Sequence, residues 1–189
     1  MVLRIVFMFF ILILTGCGLV PSKPSSLFID SKYDFGSIKR IAVLPFENLT
    51  EDRQAGEVIR YMVINQIQEV VETVPVGDVE SYLKRLNITS VKDLTTEQMQ
   101  RLCRDLKADA VVTGTVYKYG EVRFGNISAP EVSLSIVMME PESGAIIWSV
   151  TAHKTSANFW VKYFGAGSET LSETAFKVVR DAVNTFKKM

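Results

Sequence analysis

The chain has one histidine, two cysteines and no excess of either charge in 189 residues. With His153 as the one imidazole, a Ser-His-Asp triad would hang on a single position. His153 alternates with Ser149 and Thr151, as a residue on the solvated side of a strand does. It lies more than forty residues from Cys103, so the two have no metal-ligand spacing. Twenty-one basic residues balance 21 acidic ones, with no run of like charge, which excludes the basic footprint of a nucleic-acid binder. No apolar run approaches the roughly 20 residues that a spanning helix needs. Internal repeats and low-complexity tracts are also missing. Catalytic residues, a metal site, a cofactor and a small-molecule substrate are therefore not expected. What remains is a 48% apolar chain, enough for a sizeable core and too much for a disordered one.

The amino terminus is the most specific stretch. Arg4 precedes ten uncharged apolar residues, Ile5 to Leu14, and Leu14-Thr15-Gly16-Cys17 follows. A basic start, a short apolar run and small residues at the end make a secretory signal peptide. Ending in Leu-Thr-Gly-Cys, it resembles the signal of bacterial lipoproteins. That resemblance implies cleavage before Cys17, with diacylglyceryl and N-acyl chains placed on that cysteine and Leu14, Thr15 and Gly16 serving as the cleavage motif. Each buried methylene contributes about 0.8 kcal/mol, so several chains anchor a protein almost permanently. In the lipoproteins that this stretch resembles, a residue such as Gly18 after the cysteine, rather than Asp, goes with export to the outer membrane, so the resemblance implies that membrane, on its periplasmic face. Residues 1–16 take with them one charge, Arg4, which leaves 20 basic against 21 acidic residues, a net charge of −1. With Cys17 lipidated, Cys103 has no internal disulfide partner. Its place in the stripe Met99, Leu102, Cys103, Leu106 reads as a buried thiol, against the alternative of a reactive one.

Residues 17–36 read as a lipidated start and flexible tether, and 37–189 as one periplasmic α/β domain. Ile41 to Phe46 has the near-continuous apolar pattern of a strand buried on both faces. A helix is expected from about Asp52 to Glu69, with Ala55, Val58, Ile59, Met62, Val63, Ile67 and Val70 in its stripe and Glu57, Arg60, Asn65 and Gln68 opposite. Val71 to Val76 suits an edge strand because of Pro75. Asp78 is placed as the cap of a short helix, and Thr95 with Gln98 forms a capping box for the next. A three-strand meander follows: Ala110 to Tyr119, Glu131 to Met139 and Ala145 to Thr155, the last with Ile146, Trp148, Val150 and Ala152 on the core side. A closing helix starts near Ser168. The expected fold is α/β, a mixed sheet of about five strands (two early strands plus an antiparallel three-strand meander) packed with about four helices.

Three segments in this order carry a second resemblance. Ile41-Ala42-Val43-Leu44-Pro45-Phe46-Glu47-Asn48-Leu49-Thr50, Ala108-Asp109-Ala110-Val111-Val112-Thr113-Gly114-Thr115-Val116 and Ser143-Gly144-Ala145-Ile146-Ile147-Trp148-Ser149 are similar to signatures of CsgG-like lipoproteins and of the amino-terminal domain of TolB. The resemblance implies a non-enzymatic envelope domain that binds other proteins or assembles with copies of itself.

Phe159, Trp160, Tyr163 and Phe164 stand where loops are usually polar. Either they tuck under the closing helix or they form an exposed patch that meets a partner. Gly120 to Pro130, with Arg123, Phe124 and Asn126, reads as a loop and a second, weaker candidate. Gly165-Ala166-Gly167-Ser168 reads as a hinge rather than an anion cradle, since it lacks the lysine of a phosphate loop. The expected function is a membrane-anchored interaction or assembly factor for envelope biogenesis or secretion. Its alternatives are a subunit of a secretion complex or pore related to the curli channel, and a regulator of a cell-wall synthase. A pore lacks support because no spare hairpin of spanning length is visible, and a synthase on the inner membrane lies beyond a short tether.

Overall fold

The computed structural model describes residues 24–88, 90–125, 127–156 and 169–188, and the side chains of Phe124 and Ile127 are outside that description. The signal motif, Cys17, the 159–164 aromatics and the 165–168 stretch lie outside the described residues. Among the described residues the fold is a seven-strand mixed sheet with four α-helices. In chain order the elements are β1 (Ser26–Ile29), β2 (Arg40–Val43), β3 (Glu47–Asn48), α1 (Ala55–Ile67), β4 (Glu72–Thr73) and α2 (Val76–Arg85). Then come α3 (Thr96–Leu106), β5 (Ala110–Phe124), β6 (Ile127–Met139), β7 (Ile146–Thr155) and α4 (Leu171–Phe186). The strand order is β1-β7-β6-β5-β2-β4, with β3 continuing beside β5 beyond the end of β2.

The count of about five strands is corrected upward by β1 and β3. β1 lies inside the stretch read as tether, where no periodicity marks it. It is held by antiparallel pairing to β7, Ser26 opposite Thr151 through Ile29 opposite Trp148. Tyr33 and Phe35, also in that stretch, stack edge-on at 5.3 Å, and Phe35 meets Phe186 at 6.4 Å. β3 is two residues long, too short to show a period. The 120–130 loop is corrected as well: Gly120 pairs with Glu131 and Phe124 with Ile127, so β5 and β6 run on as one hairpin. Gly125, at φ 62°, supplies the left-handed conformation that a two-residue turn needs.

Right-handed crossovers decide which helix covers which face. From β2 the chain steps to β4 on one side through α1; from β4 it returns past β2 to β5 through α2 and α3. Reversing the direction of travel puts the two connections on opposite faces. On the α1 face, α4 joins to bury Ile41, Val43, Val112, Leu134, Ile136, Trp148 and Val150. On the other, α2 and α3 bury Ala42, Leu44 and Val111 with Leu83, Met99, Leu102 and Cys103.

Four placements differ from the sequence reading, those of Val70, Ile146, Arg60 and Asp78. Val70, expected in the α1 stripe, lies past the end of that helix and is exposed. Ile146, expected in the core, is 47% exposed, while Ile147 and Trp148 are both buried. The pairing jumps from Met138 opposite Trp148 to Met139 opposite Ile146, so Ile147 is the extra residue of a bulge and the alternation breaks there. Arg60, expected on the polar side of α1, is fully buried. Val74 N–H donates to Ile41 O at 2.9 Å, and the next donor on that side would be Val76, where the chain has already turned into α2. The Val43 carbonyl is thereby orphaned, and Arg60 Nη2 and Nε donate to it at 3.0 and 3.3 Å. Its Nη1 reaches Glu57 and Glu80, both at 3.2 Å. Asp78 falls in the first turn of α2 rather than capping it.

Candidate interaction groove

Beyond the reach of α2 and α3, β5, β6 and β7 present small hydroxyl side chains. Across the sheet the rows read Thr113–Val137–Ser149 and Thr115–Ser135–Thr151. The α2–α3 connection rises beside this bare shelf as a wall. Between wall and shelf lies a cavity of about 470 Å³, with Leu83, Ile88, Val91, Leu94 and Met99 on one side and Thr113, Thr115, Ser135, Val137 and Met139 beneath. Pro45, Phe46 and Glu47, just past the carboxyl end of β2, close one end. This is where the crossovers reverse, the place where open α/β sheets take up ligands.

The walls are firmly set. Thr95 and Gln98 make the expected capping box of α3, at 3.2 Å from Gln98 N–H to Thr95 and 2.9 Å from Thr95 N–H to Gln98. Gly114 admits the Phe46 ring: a Cβ there would stand 2.3 Å from Ser135 O and 2.6 Å from Phe46 Cε2. Thr113 Oγ1 donates to Pro45 O at 3.1 Å. Thr115 Oγ1 donates to Glu47 at 3.3 Å, and the other Glu47 oxygen holds Lys92 Nζ at 2.5 Å across the mouth. Further along β5, Tyr117 OH shares a hydrogen bond with Ser135 Oγ at 3.2 Å. A neutral, half-apolar trough with hydroxyls along its floor can hold an extended polypeptide: the walls take side chains and the hydroxyls take main-chain groups.

The other sequence candidates fall as follows. His153 sits on the bare face with Nε2 3.1 Å from Glu131, which also pairs with Lys118 at 3.0 Å. Burial opposes the Glu131 charge, but the hydrogen bonds from Lys118 and His153 outweigh it and hold the carboxyl below its usual value. Cys103 is free and buried, and burial pushes its thiol up to about 12, which makes it an inert packing group. Asp52 accepts from Gln54 N–H at 2.8 Å and Asn48 from Thr50 N–H at 3.0 Å; both order the turn into α1. Among the described residues no three His, Cys, Asp or Glu side chains cluster as metal ligands, and no helix is long and apolar enough to cross a membrane. The groove itself escaped the sequence reading. Its one visible signal was the repetition of Ser and Thr on alternate residues of three strands, which also describes any solvated sheet face.

No protein-family model and no curated protein matches the sequence. Solved structures do match. The PelC dodecamer from Paraburkholderia phytofirmans superposes with a TM-score of 0.56 at 17% identity, over 84% of this chain and 92% of that one. Lipoprotein GNA1162 from Neisseria meningitidis gives 0.56 at 21% identity, over 80% and 99%. The chain therefore shares its fold, over nearly the whole of theirs, with a bacterial lipoprotein and with a protein that forms dodecamers.

Proposed function

We propose that this chain is a lipid-anchored envelope protein that works without catalysis, by binding another protein in the groove between the α2–α3 connection and the bare face of β5 and β6. The groove at the crossover reversal carries this reading. The lipobox ending in Cys17 supplies the address, the periplasmic face of the outer membrane, and a fold shared with a neisserial lipoprotein agrees with it. The aromatics Phe159, Trp160, Tyr163 and Phe164 are the second contact in this proposal, with Trp160 and Tyr163 as anchors. The likeness to a dodecamer-forming protein supports assembly with copies of the chain as well.

The hairpin of β5 and β6 bears on the pore alternative. Past the irregularity at Val116 to Lys118, each arm has only about seven residues, and Glu121 and Arg123 are exposed on it. A spanning strand needs about 9 to 11 residues with an apolar outer face. Protein interaction remains the better reading.

Photo-crosslinking residues placed at Val91 and at Trp160 in living cells test it. Adducts of one discrete mass from both positions are expected, together with a mature amino terminus at Cys17 that carries acyl chains by mass spectrometry. A bare Cys17 thiol, or no protein adduct from Val91, defeats the proposal.

A further inference from the structure

We infer that β1 is a self-pairing edge: two copies of the chain join through their β1 strands, antiparallel, with Phe28 opposite Phe28 of the second copy. β1 ends the sheet, and no described residue pairs with its outer side. Leu27, Phe28 and Ile29 are 45, 50 and 38% exposed in succession. An open edge with three bare apolar residues is the kind of feature that natural sheets blunt with charge, proline or a bulge; Leu27–Ile29 carries no charge or proline and pairs regularly with β7, the one irregularity lying before it, where Ser25 and Ser26 both stand against Thr151.

Backbone alternation defines what the edge offers. Ser156 N–H donates to Pro130 O and Asp30 N–H to Ile147 O, so even-numbered residues of β7 face β6 and, from Ser26 on, even-numbered residues of β1 face β7; Ser25, just before the strand, also donates to Thr151 O at 2.8 Å. The N–H and C=O of Leu27 and Ile29 therefore point outward. In the register centred on Phe28, Leu27 of each copy meets Ile29 of the other, and the two pairs exchange four hydrogen bonds. Side chains match like with like: Phe against Phe, Leu against Ile, Ser26 against Asp30, with no charge facing its own kind.

The same three residues on a membrane-anchored chain also invite contact with lipid. An edge pressed into hydrocarbon would strand the outward N–H and C=O groups without partners, which bilayers do not tolerate. A paired strand satisfies them. A second copy suits the edge better than an unrelated strand for a geometric reason. Six residues separate Cys17 from Pro24, a reach of about 25 Å at most over the seven Cα–Cα steps, so every copy holds β1 at a similar height above the membrane. A two-fold axis along the membrane normal puts the two amino ends of β1 only about 13 Å apart along the strand direction. This last step rests on the lipid reading of Cys17; the pairing itself does not.

Phe28→Cys tests the register. Non-hydrogen-bonded antiparallel pairs have Cα atoms about 4.5 Å apart, within the span of a disulfide. The full processed chain is oxidised in detergent and in phosphatidylethanolamine–phosphatidylglycerol vesicles. Phe28→Cys is expected to give at least tenfold more disulfide-linked dimer than the parent chain, whose yield measures any background from Cys17 and Cys103. Leu27→Cys and Ile29→Cys should link to each other when mixed, and poorly to themselves. Ile29→Pro removes an outward N–H that β7 does not use, so the melting temperature should hold while the dimer dissociation constant rises at least tenfold in sedimentation. Dimer yield from Phe28→Cys no greater than the parent's, or the same mass for Ile29→Pro and the parent, overturns the pairing. A bare Cys17 with strong Phe28→Cys dimers removes the anchor and leaves the pairing standing.

Discussion

The two faces of the sheet are made from the same strands and meet different fates. On the α1 and α4 face, alternate residues of β5, β6 and β7 are mostly Val, Leu, Ile, Met, Ala and Trp, and those in the core cluster are buried. On the opposite face, the alternate residues of the same strands are mostly Ser and Thr, and α2 and α3 cover only the end beside β2. The first face gains stability by excluding water over its full width. The second leaves a shelf beside a wall, and a groove exists because the cover stops. On the proposed function, stability and binding are divided between faces, so substitutions on one should move a quantity that substitutions on the other leave alone.

Trp148→Ala should strike hardest. The indole is fully buried, its Nε1 donates to Thr185 at 3.1 Å, and its ring packs on Phe186 at 5.9 Å. Truncating a core tryptophan costs about 3–5 kcal/mol. A chemical-denaturation midpoint shifted by less than a third of that would mean the covered face is not the main source of stability. Arg60→Met comes next. It leaves the Val43 carbonyl buried without a donor, for about 1–3 kcal/mol, while Glu57 and Glu80 return to water. An unchanged midpoint would show that the carbonyl finds another donor.

Substitution on the bare face should do the reverse. Ser135→Ala and Thr115→Val remove floor hydroxyls and should stay within about 0.5 kcal/mol of the parent, as surface changes usually do. If the groove holds a polypeptide, the same variants should weaken crosslinking from Val91 several-fold. A large loss of stability from either would make the shelf part of the core after all.

How far the sequence reveals this division depends on distance along the chain. Patterns set by neighbours were legible: the Thr95–Gln98 box, the α1 stripe of Ile59, Val63 and Ile67, the α3 stripe of Met99, Leu102 and Cys103, and the continuous apolar run of β2. Patterns set by partners far away were not. β1 is a strand only because β7 is there to pair with it, and Arg60 is buried only because the turn into α2 at Val76 leaves Val43 one donor short. Ile146 points outward because a bulge against Met139 shifts the register, and one residue of slip reverses a face. The groove belongs to the same class. Its floor was visible as Ser and Thr, but its wall comes from a crossover whose placement no local period encodes.

The smallest effect concerns Glu131, at the far edge of the bare face, and it sharpens the comparison by showing a charge cluster that adds little. Hydrogen bonds from Lys118 and His153 depress its carboxyl pKa against the opposing effect of burial. A carboxyl depressed in the folded state contributes stability above its unfolded value, about 4.5, and that contribution is lost as pH falls through the lower folded value. Lys118 and His153 are both well exposed, so the contribution should be a few tenths of a kcal/mol. Glu131→Gln should therefore run slightly below the parent from pH 5 to 7 in denaturation midpoint, with the two curves converging below about pH 4. Curves that diverge on acidification would reverse the sign, placing the carboxyl above its unfolded pKa and making burial, rather than its two partners, the dominant influence at that end of the sheet.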